Sequence, residues 1–225
     1  MISQIRTYSD NYDLVKTRRD EIARKSVEIF MKNGYEETSV RDIARVCGMS
    51  IGQLYHYIGS REDVLYLTLQ YTNSRIIEFV QNISVKFDSV SPTKALQQAI
   101  DFYYRGVDSI QDIVIFMYQH TNNLRPAERK QVFKYNEPLV GVFEKILSRG
   151  CETGEFNIED VGLVAHNIVT SGDMWALRRW YLKKRYTLGE YIKRQMALVM
   201  NQINAKNLNN KKNRRLVKNH HYPKR

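Results

Sequence analysis

Cysteine, proline and long apolar runs are scarce in this sequence. Its two cysteines, Cys47 and Cys151, lie far apart and lack the spacing of a metal site, so we expect reduced thiols and no disulfide. A membrane span needs about 20 consecutive apolar residues, and no run approaches that length. The N-terminal segment is too polar for a signal peptide. These absences predict a soluble, cytoplasmic protein without a membrane partner.

Histidine is also scarce and scattered. The five histidines are His56, His120, His166, His220 and His221. No other potential ligand or nucleophile stands near them at the spacing that a metal site or a nucleophile–base pair requires. We therefore expect no cofactor, no metal and no catalytic residue, and an enzyme is the least favoured class.

The net charge of +11 is unevenly distributed along the chain. Residues 1–66 contain ten basic and ten acidic residues, whereas residues 204–225 contain eight basic residues and no acid. Such a tail is predicted to be disordered because it has too few apolar residues to pack. Two interpretations stay open: the tail adds sequence-independent affinity for DNA, or it is a solvated segment without a function.

Three serines divide the N-terminal region into short helices. Ser39, Ser50 and Ser60 each precede an apolar-periodic run, and each is followed three residues later by Asp or Gln, as in a capping box. Gly48 permits the left-handed turn that separates the first two helices. Helices as short as 40–47 and 51–57 are marginal alone, so packing against each other must stabilise them. The pattern predicts a helix-turn-helix.

The second helix of this motif has an outward face suited to the major groove of DNA. Gln53 can pair with adenine, Ile51 can contact a thymine methyl group, and Tyr55 can donate to a phosphate. Arg61 is expected to contact a phosphate at the next helix N-terminus. Two alternatives stay open: Gln53 only completes its capping box, and Tyr55 is mostly core. The predicted DNA contacts are Ser39, Arg41, Ser50, Ile51, Gly52, Gln53, Tyr55, His56, Tyr57, Ser60 and Arg61.

Residues 17–65 carry a motif with many fixed points. They read TRRDEIARKSVEIFMKNGYEETSVRDIARVCGMSIGQLYHYIGSREDVL, which resembles the DNA-binding domain of TetR-family transcriptional regulators. Ser26 and Cys47 stand where alanine is usual, and Arg61 replaces the commoner lysine. The matching positions are Phe30, Gly34, Tyr35, Thr38, Ile43, Ala44, Gly48, Ser50, Gly52, Leu54, Tyr55, Tyr57, Ser60, Arg61 and Glu62.

The resemblance implies an all-α protein with two domains. Long segments with apolar residues every three or four positions independently predict an all-α fold of about nine helices. We expect a DNA-binding domain in residues 1–66 (core 16–66), a ligand-binding and dimerisation domain in residues 67–203, and the basic tail in residues 204–225. The implied partners are a palindromic operator in double-stranded DNA, a second copy of the chain and a small-molecule effector.

Two C-terminal helices, predicted at 159–183 and 188–203, have apolar stripes that suit a four-helix bundle between subunits. A palindromic operator needs two recognition helices about 34–36 Å apart, which favours this dimer over packing within one chain. The predicted interface residues are Val161, Ala165, Ile168, Gly172, Ala176, Leu188, Ile192, Leu198 and Val199.

Aromatic and polar residues are dense in residues 101–124, which suits a mostly apolar ligand cavity. The alternative, that these residues are ordinary core, ranks first for any single one. The resemblance implies drugs, lipids, acyl thioesters or hormones as effectors, and basic residues beside aromatics favour a fatty acyl thioester. The sequence thus predicts a ligand-released repressor; the alternative is a ligand-independent DNA-organising or cell-division factor. The predicted pocket residues are Phe102, Tyr103, Phe116, Met117, His120, Asn123, Trp175 and Arg178.

Overall fold

The architecture is helical throughout the described part of the chain. In the computed structural model, the described residues are 5 and 11–204, without the side chains of 78–86 and 135–136. They form ten α-helices and no strand, which confirms the predicted all-α fold. No described helix is both long enough and apolar enough to cross a membrane. The predicted disorder of the basic tail lies outside the described residues.

The N-terminal helices are α1 Tyr12–Asn33, α2 Val40–Cys47, α3 Ile51–Tyr55 and α4 Arg61–Phe87. The C-terminal helices are α5 Pro92–Ser109, α6 Gln111–His120, α7 Pro126–Glu152, α8 Val161–Leu177, α9 Arg179–Leu182 and α10 Leu188–Asn204. A 3₁₀ turn, Thr121–Asn123, joins α6 to α7. Pro138 lies inside α7, where it cannot donate the usual backbone hydrogen bond.

Two of the differences from the predicted helix boundaries are the start of α1 and the break after α8. Helix α1 begins at Tyr12 rather than near Lys16, because the side chain of Asn11 accepts from the N–H of Leu14 at 3.0 Å and caps the helix. The single helix predicted over 159–183 is broken at Arg178, whose φ of −113° and ψ of 25° are not helical. This break raises the count from nine helices to ten.

The three serine capping boxes form as predicted. In each, the serine oxygen accepts from the backbone N–H three residues later, and the side chain at that position accepts from the serine N–H. Gly48 adopts φ 69° and ψ 32°, the left-handed conformation that ends α2. These short-range interactions set where α2, α3 and α4 begin, so the helix-turn-helix is confirmed.

An N-terminal core holds α3 in place. Leu54 of α3 is fully buried and packs with Phe30 of α1 and Ile43 of α2. Leu65 of α4 belongs to the same cluster. The cluster also contains three residues from α6, the α6–α7 connection and α7, namely Phe116, Leu124 and Val132. The N-terminal core therefore extends into the C-terminal half of the chain.

A second core lies among α5, α7, α8 and α10. Its fully buried side chains include Tyr104 of α5 and Phe143 of α7. Gly172 of α8 faces the rings of Tyr103 and Tyr104, and a β-carbon there would lie 2.6 Å from the Cε1 atom of Tyr103. The glycine thus allows α5 and α8 to pack closely within one subunit.

Candidate nucleic-acid interface

Helix α3 presents a short outward face to solvent. Ile51 and Tyr55 are each 39% exposed, whereas Leu54 between them is 0% exposed. Gly52 and His56 are also exposed. Ile51 and Tyr55 are therefore not core residues, whereas Leu54 is. Of the two interpretations of Tyr55, the structure supports the exposed one.

Gln53 takes part in the N-cap of α3. Its Oε1 accepts from the backbone N–H of Ser50 at 2.8 Å, while the Ser50 hydroxyl accepts from the Gln53 N–H at 3.1 Å. The Gln53 amide nitrogen has no hydrogen-bond partner among the described residues. A carboxamide oxygen has two lone pairs. The capping role is therefore compatible with base pairing through the same amide.

The position of Arg61 corrects its predicted role. Its guanidinium lies 4.3 Å from the centre of the Tyr35 ring and forms an ion pair with Glu36 at 3.1 Å. It also donates to the backbone carbonyl of Glu36 at 3.1 Å. Instead of lying free for a phosphate, Arg61 ties the start of α4 to the loop after α1. Glu36 is 25 residues away in the sequence, so capping patterns do not reveal this partner.

Of the remaining predicted contacts, three serines are helix caps, one tyrosine is half-buried and one arginine is exposed. The hydroxyls of Ser39, Ser50 and Ser60 accept the N-terminal N–H groups of α2, α3 and α4. Tyr57 is half-buried against the N-terminal core. Arg41 on α2 is exposed and forms no ion pair with a described residue, which leaves its guanidinium available for a phosphate.

The turn that follows α3 is held by two residues that the sequence-based site did not include. Arg19 of α1 donates through Nε to the carbonyl of Tyr57 at 2.9 Å. Asp63 of α4 accepts from the N–H groups of Gly59 at 2.7 Å and Ser60 at 3.0 Å. The capping-box spacing indicates Asp63, but no local pattern indicates Arg19.

An aromatic cluster joins the N-terminal domain to α6. We use the term interdomain aromatic cluster for Phe30, Tyr35, Phe116 and His120. Phe116 stacks on Phe30 with ring centres 5.8 Å apart, and His120 lies 5.3 Å from Tyr35 and 4.6 Å from Phe116. Burial lowers the pKa of His120, while the charge of Glu36 opposes that shift. A neutral imidazole therefore fits this apolar contact.

The eight predicted pocket residues do not line one cavity. Phe116, Met117 and His120 pack towards the N-terminal core, whereas Tyr103 and Trp175 belong to the C-terminal core. Of the other three, Asn123 and Arg178 are exposed and Phe102 is half-buried. The prediction that these side chains surround a ligand is therefore wrong. Aromatic density alone did not distinguish a cavity from two packed cores.

A polar cluster in the C-terminal core explains two of these residues. Asp173 of α8 accepts from the hydroxyl of Tyr103 at 2.5 Å and from that of Tyr118 at 2.9 Å. Burial raises the pKa of Asp173, while both phenols oppose that shift. Trp175 donates through Nε1 to Asp108 at 2.7 Å. These bonds link α8 to α5 and α6, so Tyr103 and Trp175 have structural roles.

A cleft lies between the end of α4 and the middle of α7. Its volume is about 150 Å³, below the 300–1,000 Å³ range usual for ligand sites. None of the predicted pocket residues lines it. Lys145 at its wall pairs with Asp88 at 2.7 Å. The lining residues are Phe87, Asp88, Pro138, Gly141, Val142, Lys145 and Ile146.

Most predicted dimer residues are buried by their own chain, which corrects that prediction. Six of the nine are buried in the C-terminal core: Ala165, Ile168, Gly172, Ala176, Ile192 and Val199. Val161 and Leu188 are half-buried against the same core. Leu198 alone among the nine is exposed, at 63%. The stripe that the periodicity selected is the inner face of each helix, as the alternative interpretation held.

Comparisons with known proteins cover both halves of the chain. A model described as bacterial regulatory proteins, tetR family, matches residues 22–66, and a Tetracyclin repressor-like C-terminal domain matches residues 89–203. The HTH-type transcriptional regulator HbdR of Aromatoleum sp. (strain CIB) is 30% identical over 190 residues, which are 83% of this chain and 81% of HbdR.

Two solved structures share the fold. The transcriptional regulator FadR from Bacillus subtilis, in complex with stearoyl-CoA, superimposes with a TM-score of 0.67 at 20% identity over 81% of this chain and 98% of FadR. AibR in complex with isovaleryl coenzyme A and operator DNA has a TM-score of 0.60 at 20% identity over 80% of this chain and 97% of AibR. One family match contains the exposed, capped α3, and the second covers most of the C-terminal half, so the chain belongs to the TetR family of transcriptional regulators.

Proposed function

We propose that this regulator is a cytoplasmic, ligand-released repressor that binds a palindromic operator as a homodimer. The observation that carries the proposal is the outward face of α3, where Ile51 and Tyr55 are exposed on a helix capped at its start. A helix of this kind, standing on a rigid core, fits the major groove. The family supports the same function.

Within this proposal, α3 reads bases and its surroundings bind phosphates. The Gln53 amide donates to adenine N7 and accepts from N6, while Ile51 contacts a thymine methyl group. The Tyr55 hydroxyl and the Arg41 guanidinium contact phosphates, which fix the position of the helix without reading sequence. A contribution of the basic tail, residues 204–225, to salt-dependent affinity for DNA remains a prediction.

Gln53→Ala should relax the preference for one base at one operator position. We expect the binding free energy for the preferred site to weaken by about 1–3 kcal/mol, because a bidentate amide–adenine pair contributes that much to discrimination against the wrong base. The operator is first selected from random duplexes with the wild-type protein. Affinities of both proteins are then measured for that duplex and for all single-base variants.

Gln53→Glu separates base reading from helix capping. A glutamate keeps an oxygen that accepts from the Ser50 N–H, but it cannot donate to adenine N7. It should therefore keep α3 folded while moving the preference from adenine towards cytosine. A uniform loss across all duplexes in both variants would contradict base reading by Gln53.

The proposed dimer uses the outer face of α8 and α10. Leu163 of α8 is 54% exposed and Leu198 of α10 is 63% exposed, although both helices are otherwise well packed. Apolar side chains on two adjacent helices suit a four-helix bundle with a second copy. The bundle sets the separation of the two α3 helices, which a palindromic operator requires to be about 34–36 Å or a multiple of it.

The effector we propose is an acyl thioester of coenzyme A. Structures of the same fold bind stearoyl-CoA and isovaleryl coenzyme A. In this chain, the segment after α8 combines exposed aromatic rings with cations that suit phosphates. The Arg178 guanidinium lies 5.1 Å from the Trp180 ring, and that of Arg185 lies 3.9 Å from the Tyr181 ring. Trp180 is 60% exposed.

An acyl-CoA series of increasing chain length should contain a compound that binds and releases the operator. Complete reversal of a 1:99 equilibrium needs a preference of about 5.5 kcal/mol for the non-binding arrangement. Binding is measured by calorimetry and operator release by fluorescence anisotropy. Free coenzyme A and the matching fatty acids are the controls. A compound that binds by calorimetry yet leaves operator affinity unchanged would reject this coupling.

A further inference from the structure

Three charged side chains meet where the N-terminal domain contacts α7. We use the term interdomain charge cluster for Asp63, Arg125 and Glu128. Arg125, the N-cap of α7, donates through Nη2 to Asp63 Oδ1 and to Glu128 Oε1, and its Nε donates to Glu128 Oε1 at 3.0 Å. The Asp63 and Glu128 side chains are only 4% and 1% exposed.

The two oxygens of Asp63 have different partners. Oδ2 accepts from the N–H groups of Gly59 and Ser60, in the turn between α3 and α4. Oδ1 accepts from Arg125. One carboxylate therefore connects the turn that follows the recognition helix directly to the first residue before α7. A movement of the Arg125 guanidinium is therefore transmitted to that turn through the Asp63 side chain.

The same turn is also held from α1. Arg19 donates to the carbonyl of Tyr57 at 2.9 Å and to that of Ile5 at 2.8 Å. The turn thus has one anchor within the DNA-binding domain, Arg19, and one outside it, Arg125. Only the second anchor relates the orientation of α3 to the C-terminal half of the chain.

Charge makes this contact more directional than its apolar neighbour. The interdomain aromatic cluster binds the same α6–α7 region, but ring contacts tolerate sliding at little cost. A charge-assisted hydrogen bond from a planar guanidinium to a carboxylate is stronger and more restricted in geometry. Two buried carboxylates beside each other also require a cation, because their desolvation and mutual repulsion are otherwise unfavourable. Arg125 therefore favours one orientation of the N-terminal domain relative to α7.

We propose that Arg125 is a positioning residue for operator recognition: by holding Asp63 it sets the orientation of α3 relative to the C-terminal half of the chain. This inference rests on the proposed binding of a palindromic operator by a dimer. In such a dimer, the C-terminal halves fix the twofold axis, and Arg125 on each side fixes how far each α3 lies from it. The residue needs no contact with DNA.

The test compares operators whose half-sites are moved apart by one or two base pairs. The main variant is Arg125→Met with Glu128→Gln, which removes one cation and one anion and leaves Asp63 to cap the turn. Asp63→Asn is the second variant, since an amide oxygen still accepts from the turn while the ion pair is lost. Arg129→Met is the matched control, because Arg129 lies on α7 without an ion pair to a described residue.

Wild type and Arg129→Met should bind the selected spacing at least about tenfold more tightly than the altered spacings, a difference of 1.4 kcal/mol. Both cluster variants should lose most of this discrimination while keeping wild-type helicity and dimerisation. If the double variant does not fold, Asp63→Asn decides. Folded variants that discriminate like the wild type would overturn the role of Arg125. A wild-type protein that ignores spacing would instead overturn the dimeric operator binding, and this inference with it.

Discussion

Phe116→Ala should lower the free energy of unfolding by about 3–5 kcal/mol, the usual loss for a buried phenylalanine. Phe116 is 6% exposed and stacks on Phe30 across the contact between the two halves of the chain. Its removal leaves a cavity between the domains rather than within one of them. We therefore expect the DNA-binding half to unfold before the C-terminal half.

Urea unfolding followed by two probes measures this effect. Both tryptophans, Trp175 and Trp180, lie in the C-terminal half, so their fluorescence reports that half while circular dichroism reports all helices. Phe133→Ala is the matched control: Phe133 is 54% exposed, and such surface changes usually stay within about 0.5 kcal/mol. Coincident transitions with an unchanged midpoint in Phe116→Ala would show that the cluster does not hold the domains together.

Leu198→Glu should convert the dimer into a monomer and lower operator affinity by about 10²–10⁴-fold, the range that linking two binding modules provides. Leu198 is 63% exposed in a single subunit, so a charge there leaves the subunit fold intact. In the proposed bundle the same charge would be buried without a partner. Sedimentation measures the mass, and titration with the selected operator measures the affinity.

Phe133→Glu is the control for this charge. It places the same carboxylate at an exposed apolar position on α7, outside the proposed α8–α10 face. We expect it to remain dimeric and to bind the operator like the wild type. A dimeric Leu198→Glu protein with normal operator affinity would place the subunit contact elsewhere.

Short-range interactions explain why the helix-turn-helix was predictable. Each capping box joins residues only three positions apart, and the left-handed turn at Gly48 depends on one residue. The spacing of Ile43 and Leu54 then decides which faces turn inward. All of these features lie within one short segment of the sequence. The exposed face of α3 could therefore be predicted without knowledge of the rest of the chain.

The roles of Arg61 and Arg125 depended on distant partners. Arg61 was expected at a phosphate, but the carbonyl and carboxylate of Glu36 occupy its guanidinium. In the sequence, Arg125 is recognisable only as a residue that precedes a proline. Its contact with Asp63 forms because α7 packs against α4. Their ion-pair partners Glu36 and Asp63 lie 25 and 62 residues away, and no periodic pattern carries such pairings.

By itself, the sequence determined the fold class, the helix starts in the DNA-binding domain and the family, because caps, turns and the motif are local. Only the tertiary structure decided which faces of α6 and α8 are internal. The apolar residues of α8 lie on more than one side of the helix, so residue type alone does not separate the inner residues Ile168 and Gly172 from the outer residue Leu163. The rings of Tyr103 and Tyr104 decide between them, because they fill the space at Gly172.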